Sequence, residues 1–472
     1  MTAGKPERLS ALDAGFLQAE DSDRHTSLAI GAVAVLEGPA PDVESFASTI
    51  DVRVRQLPRC TQVLRTHPFD TSAPEWVHDD AFEVRHHVRH TAAAAPGDDA
   101  ALYCVVAEVM ERRLDRDRPL WECWLVDGLA DGRWALVVKV HHSVADGIAA
   151  STMFSALCDG ASIVEYPPHE SDHPSDGARH DGLPTMNPLS WLTGAWNVSL
   201  ATARSAWRVS SGAAQIATRI LSPQSQAMAG PLTAMRRYGA ASVSLADVKS
   251  ICHRFDVTVN DVALAAITDA FREAMVRRDE PTRSDSLRTL VPVSVRRPDE
   301  LHLPDNRVSV MLPLLPVDIA DPLERLRAVH NRMTQSKASG QSRAGSLAVA
   351  ASNLLPFALT AWTVRLLTRL PQRGVATVAT NVPGPRTRVT VMGRAVQSLL
   401  PIPPIALNLR IGIAITSYAD ELTFGVIGDF DATVSPEELA NGIREGVERL
   451  VSVTKACRRS RRAGNQLLLL IS

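Results

Sequence analysis

The chain has 472 residues, 45% of them hydrophobic and 22% charged, with a formal net charge of −2. That length exceeds what one hydrophobic core serves, so two domains are expected, and the near-neutral charge argues against nucleic acid as a partner. The six cysteines (Cys60, Cys104, Cys123, Cys158, Cys252 and Cys457) lack CxxC pairs, which reads as free thiols in a reducing cytoplasm.

Met1–Glu20 carries Lys5, Glu7, Arg8 and Asp13 without an apolar core, which argues against a signal peptide. The apolar, β-branched run Trp134–Val140 predicts a buried strand. It leads into His141-His142-Ser143-Val144-Ala145-Asp146-Gly147, and Ile148–Cys158 is apolar at helical spacing. Asp146 and Gly147 therefore stand where a helix begins. Two histidines at a strand end, with a carboxylate four residues beyond His142, suit a positioned general base. A neutral imidazole taking the proton of an attacking hydroxyl or thiol is worth about 10²–10⁴ in rate. The same residues also read as a hydrogen-bonded strand end with Asp146 as a helix cap. Metal ligation is disfavoured, because adjacent strand residues face opposite ways and no further His/Cys cluster completes a site.

Tyr166–Asp181 is polar and Pro/His/Asp-rich, a connector, and helical segments are expected from Pro188 to Leu221. Leu245–His253 predicts a short helix. Asn260 stands at the cap position of a longer helix whose apolar face is Val262, Ala263, Ile267, Ala270, Phe271 and Ala274. Leu287–Val291 predicts a strand that ends at Pro292 or lies at a sheet edge there, since proline donates no ladder hydrogen bond. Asn306–Leu315 and Leu422–Ile427 are further strands. The division expected is a first domain over 1–160, linker and crossover helices over 161–240, and a second domain over 241–472.

Three stretches raise membrane contact. Ala344–Val364 is uncharged and long enough to span, but Asn353 and Pro356 interrupt it, which favours a buried or surface-lying helix. Gly182–Ala203, with Trp191 and Trp196, reads as a helix packed between domains or resting on a bilayer. Arg458, Arg459, Arg461 and Arg462 before Leu467–Ile471 read as a peripheral anchor to anionic lipid or as a disordered tail.

Pro119-Leu120-Trp121 upstream of the histidines, Leu9-Ser10-Ala11-Leu12-Asp13 with Phe16, and Thr258–Val262 around Asn260-Asp261 form an ordered set. Pro292–Arg296, Asn306–Ser309, Asn381–Pro385, Ser417-Tyr418 and Phe424-Gly425 extend it. The set resembles the bacterial wax ester synthase/diacylglycerol acyltransferase family from about residue 9 to about residue 450. The resemblance implies an α/β, two-domain chloramphenicol acetyltransferase-like (CoA-dependent acyltransferase) fold with the histidine motif at the domain interface. It implies transfer of a long acyl chain from acyl-CoA to diacylglycerol or a long-chain alcohol, with acyl-CoA as co-substrate and no cofactor or metal. The absence of a GxSxG elbow agrees with direct transfer.

By the same resemblance His142 is the base, His141 supports it, and Asp146 holds the local backbone or an arginine. Gly147 leaves room for substrate, and Pro119, Leu120 and Trp121 line an acyl channel, a tryptophan there being equally at home in a core. Asn260 and Asp261 are substrate-binding residues or helix caps. Asn381 sits near the thioester or serves a turn. The chain departs from the family at Pro404-Ile405-Ala406, where a glycine often precedes the Leu-Asn pair, here Leu407-Asn408. A catalytically weak lipid-coating protein and transfer to a polyketide-type alcohol are the other readings. The expected place is the cytoplasm, peripheral to the membrane or to lipid inclusions.

Overall fold

The run before the histidines is a strand buried along its whole length, Trp134–His141, and the architecture is built around it. In this computed structural model the described residues are 7–67, 72–145, 147–160, 232–294, 308–338, 375–405 and 409–471. Their first half runs β1 (Glu7–Arg8), α1 (Ala11–Ser22), β2 (Ala29–Leu36), α2 (Val43–Val54), β3 (Gln62–Arg65) and β4 (Glu75–His78). It continues through β5 (Val88–Ala92), α3 (Asp99–Glu111), β6 (Trp121–Asp127), β7 (Trp134–His141) and α4 (Gly147–Ala156). The second half begins β8 (Arg236–Ser244), α5 (Leu245–Phe255), α6 (Val259–Arg277), β9 (Leu287–Ser294), β10 (Val308–Met311), β11 (Leu314–Leu315) and α7 (Pro322–Ala338). It closes with β12 (Thr377–Pro383), β13 (Thr390–Val391), β14 (Arg394–Ile402), β15 (Ile411–Tyr418), β16 (Glu421–Asp429) and α8 (Pro436–Ile471).

Two mixed sheets carry these elements. The first has the order β13-β14-β2-β7-β6-β5, so β7 is flanked on both sides by antiparallel partners. A strand paired on both edges and covered on both faces reads as a continuous apolar run. The second has the order β10-β9-β12-β15-β16-β8, with β11 on β9; β1, β4 and β3 form a small third sheet. β13 and β14 belong to the first sheet although they lie late in the chain, with β14 pairing β2 from Val396–Leu36 to Ile402–Gly31. Chain position beyond residue 240 therefore does not decide sheet membership.

β14 also joins the sheets. The Tyr238 hydroxyl on β8 donates to the Pro401 carbonyl at 2.9 Å. A Cβ on Gly425 of β16 would stand 1.8 Å from that same oxygen, so the crossing admits no side chain there. Arg236 ties the joint further, pairing with Asp429 at 3.3 Å and donating to the His25 carbonyl between α1 and β2. Behind the second sheet α6 packs on α8, where Gly446 lets the helices approach at Ala266. Buried Asp269 on α6 binds Arg325 of α7 at 2.5 Å and Arg449 of α8 at 2.7 Å.

Two expected boundaries move. Of the two readings at Pro292, the sheet edge holds and the strand end does not: β9 runs through the proline to Ser294. The proline is tolerated because β12 pairs β9 only at Thr289 and Leu290, leaving β10 as the only described neighbour at Pro292. The longer helix is capped by Thr258, not Asn260: the Thr258 hydroxyl accepts from the Asp261 amide at 3.2 Å, and Asp261 answers by accepting from the Thr258 amide at 2.9 Å. The connector and helices expected over 166–221, with the Gly182–Ala203 stretch, and Ala344–Val364 lie outside the described residues. Among the described residues no helix is long and apolar enough to cross a membrane. α8 stays helical to Ile471, through the basic cluster for which a disordered tail was the other reading.

Candidate active site

The site is built where β7 ends and α1 passes beneath it. Ser10 caps α1, its hydroxyl accepting from the Asp13 amide at 3.1 Å. From that cap the helix presents Phe16 and Glu20, four residues apart and so on one face. His142, the first residue past β7, donates its amide to the Leu28 carbonyl at 2.9 Å, and its ring lies 4.4 Å from the Phe16 ring. Burial drives the His142 pKa down from 6.5 to about 4, with the neighbouring His141 adding to the effect. The imidazole is therefore neutral above that range, as a base must be. The residue still keeps part of its surface open.

His141 faces the other way. Its amide donates to the Leu120 carbonyl at 3.0 Å, and its Nδ1 accepts from the Ser143 amide at 3.1 Å. That acceptance places the ring proton on Nε2, which lies 3.6 Å from Oε2 of Glu20. Glu20 is 2% exposed, accepting from the Leu28 amide at 3.1 Å and from Arg116 at 2.7 Å. Burial by itself would raise its pKa, but His141, Arg116 and the Leu28 amide outweigh burial and hold it at about 2. Leu28 is thus gripped at both ends, its N–H by Glu20 and its carbonyl by His142. Phe16 stood within a recognised sequence element, while Glu20, Arg116 and Leu28 carried no sequence signal beyond the four-residue spacing from Phe16.

The other expected site residues divide. Pro119 and Leu120 are buried, and Leu120 reaches the histidines through its carbonyl. Trp121 is core: it pairs with Val140 across the strands, on the sheet face opposite His141. Its indole N–H donates to the Cys60 carbonyl at 2.9 Å and its ring stacks on His87 at 4.6 Å. These contacts give Trp121 the core place that the sequence also allowed for it.

Gly147 opens α4 as expected, and Asp146 lies outside the described residues. Asn381 is exposed on β12, two residues before Pro383, whose carbonyl accepts from Ser151 of α4 at 3.3 Å. The following turn needs glycine, since a Cβ on Gly384 would stand 2.4 Å from the Ser417 carbonyl. No contact between Asn260 or Asp261 and the histidines is found among the described residues. Asp261 is taken up by its cap and by His330 at 2.8 Å, on a helix packed against α5, α7 and α8. An isolated bridge between Ser27 and Ile405 carries the departing Pro404-Ile405 segment to the edge of the site, while 406–408 lie outside the described residues.

Five cysteines are free thiols, Cys60, Cys123 and Cys158 among them buried, and burial pushes Cys60 up to about 12. Burial raises Cys123 and Cys158 likewise, so these three stay as thiols rather than nucleophilic thiolates. Among the described residues no His/Cys/Asp/Glu group could hold a metal.

Two joined mixed sheets with a histidine pair at a strand end define the class: a chloramphenicol acetyltransferase-like, CoA-dependent acyltransferase fold. Solved structures agree. The wax ester synthase/diacylglycerol acyltransferase from Marinobacter aquaeolei VT8 superposes with a TM-score of 0.65 at 24% identity, over 95% of this chain and 100% of that one. The first condensation domain of the calcium-dependent antibiotic synthetase gives 0.62 at 15% identity, over 96% and 97%. The family model for the wax ester synthase/diacylglycerol acyltransferase catalytic domain matches residues 9–263, and the model for the WS/DGAT C-terminal domain matches 305–451. A probable diacylglycerol O-acyltransferase of Mycobacterium tuberculosis, Tgs1, is 49% identical over 458 residues, 97% of this chain and 98% of that protein. The chain belongs to the wax ester synthase/diacylglycerol acyltransferase family, and it is an acyltransferase enzyme.

Proposed function

We propose that this enzyme moves a long acyl chain from acyl-CoA to the free hydroxyl of diacylglycerol, and also to long-chain alcohols, with His142 as the general base. The observation that carries this is a neutral, deeply surrounded His142 imidazole whose neighbour His141 lies 3.6 Å from the ionised Glu20–Arg116 pair. His142 takes the proton from the acceptor hydroxyl as its oxygen bonds to the thioester carbonyl carbon. The carbon–sulfur bond then breaks, and the imidazolium returns the proton to the departing CoA sulfur. No protein nucleophile enters. His141 and Glu20 hold the base in place; Gly147 opens α4, Pro119 and Leu120 back the strand, and Asn381 serves the acyl donor. This fits the site better than a lipid-coating role, which would need neither the neutral base nor the buried carboxylate beside His141.

The experiment is transfer of labelled palmitoyl-CoA to diacylglycerol and to hexadecanol across pH. Turnover with diacylglycerol is expected. A base works unprotonated, so kcat/KM should hold as pH falls through 6.5 and drop only toward about 4. An acid limb at the ordinary histidine value would reject a buried base, and silence toward both acceptors would reject the reading itself.

We further propose cytoplasmic protein that binds membranes or lipid inclusions reversibly through the basic end of α8. Flotation with anionic liposomes should fall when Arg458–Ser472 is removed and when salt shortens the Debye length below the ~10 Å of 0.1 M. Retention after high-salt and carbonate washing would contradict it.

A further inference from the structure

The segment Thr26-Ser27-Leu28 crosses the site between α1 and β2 and is held by its main chain. Arg113 donates to the Thr26 carbonyl at 3.0 Å, and Leu28 is gripped by Glu20 and His142. Ser27 itself bridges to Ile405, so it lies where the first sheet meets the Pro403-Pro404-Ile405 segment of the second half. The residue is 7% exposed, and its hydroxyl oxygen is buried with no hydrogen-bond partner among the described residues. The neighbouring hydroxyls are engaged: Ser143 with His141 Nδ1 at 2.7 Å, and Thr26 with Asp23 at 3.3 Å.

A buried hydroxyl left without a partner is unfavourable, and native proteins keep few of them. Rules of local consistency are broken mainly at functional sites. Ser27 breaks one a single residue from the carbonyl that holds His142. A lipid carbonyl drawn into this water-poor seam loses its hydration and needs a donor in exchange. We infer that Ser27 is a substrate-binding residue whose hydroxyl donates to a carbonyl oxygen of a lipid substrate, either the thioester of the acyl donor or an ester of the glycerolipid acceptor. This rests on the acyl-transfer reading above, which wild-type turnover tests separately.

The test is Ser27→Ala, assayed with palmitoyl-CoA against diacylglycerol and against hexadecanol, together with its melting midpoint. The expected result is a KM raised about threefold to tenfold for one substrate, with kcat retained and the midpoint unchanged or higher. A rise for palmitoyl-CoA assigns the thioester; a rise for diacylglycerol but not hexadecanol assigns the glycerol ester. Unchanged KM values for all three substrates would overturn the inference, as would a fall in kcat common to both acceptors with KM unmoved. If Ser27→Ala does not fold, Ser27→Cys keeps the shape with a weaker donor and faces the same expectations.

Discussion

His142→Ala should lower acyl transfer by about 10²–10⁴ while leaving the protein folded. The backbone hold on this residue, its amide on the Leu28 carbonyl, survives the substitution. What is lost is the imidazole tilted against Phe16 at 4.4 Å, the group proposed to receive the hydroxyl proton. His141→Ala should reduce turnover less, because that ring serves Glu20 and Ser143 rather than the substrate. Single-turnover rates with palmitoyl-CoA and diacylglycerol, alongside circular dichroism and a melting curve, check this. Near wild-type turnover in a folded His142→Ala protein would mean that another group removes the proton.

Glu20→Ala should be the more damaging change to the fold, lowering stability by about 2–4 kcal/mol. It strips the Leu28 amide and His141 of a buried partner, whereas Arg116, more exposed, regains water. Turnover should fall as well, because Leu28 links Glu20 to the His142 backbone. The pH dependence has a definite sign. The folded-state pKa of about 2 lies below the ordinary 4.5, so the stability from this carboxylate is fully present above 4.5. It is lost as pH falls from there toward about 2. Glu20→Gln, which keeps an oxygen for Leu28 but no charge, should lack that component of acid unfolding. Denaturant titrations at pH 7 and pH 3 measure both effects, and a Glu20→Ala protein as stable as wild type would remove Glu20 from this role.

Much of the local structure was legible in the chain. The strand Trp134–His141, the turn through the histidines and the helix from Gly147 follow from an apolar run, a polar break and a 3.6-residue period. The helix Leu245–Phe255 and the strand Glu421–Asp429 were legible in the same way. The histidine pair stood out as a candidate for the active site, since few residue types titrate near neutrality. The cap at Thr258 was misplaced by two residues because Asn260 and Thr258 are both good capping residues, and the choice rests on which side chain reaches the Asp261 amide.

Periodicity reports which face of an element is buried, never which distant element covers it. Arg116 and Glu20 stand 96 residues apart, and neither sits in a pattern that names the other. Trp121 belonged to a motif, yet its pairing with Val140 turned it into the core. Likewise β14 reads as a strand anywhere, and only the register from Val396–Leu36 to Ile402–Gly31 placed it in the first sheet and Pro401 against Gly425. Composition and spacing determined that this chain is α/β and carries a histidine pair where a buried strand ends. Tertiary packing alone decided that burial keeps the His142 imidazole neutral and that a buried carboxylate lies 3.6 Å from His141, because desolvation and charge pairing depend on neighbours in space.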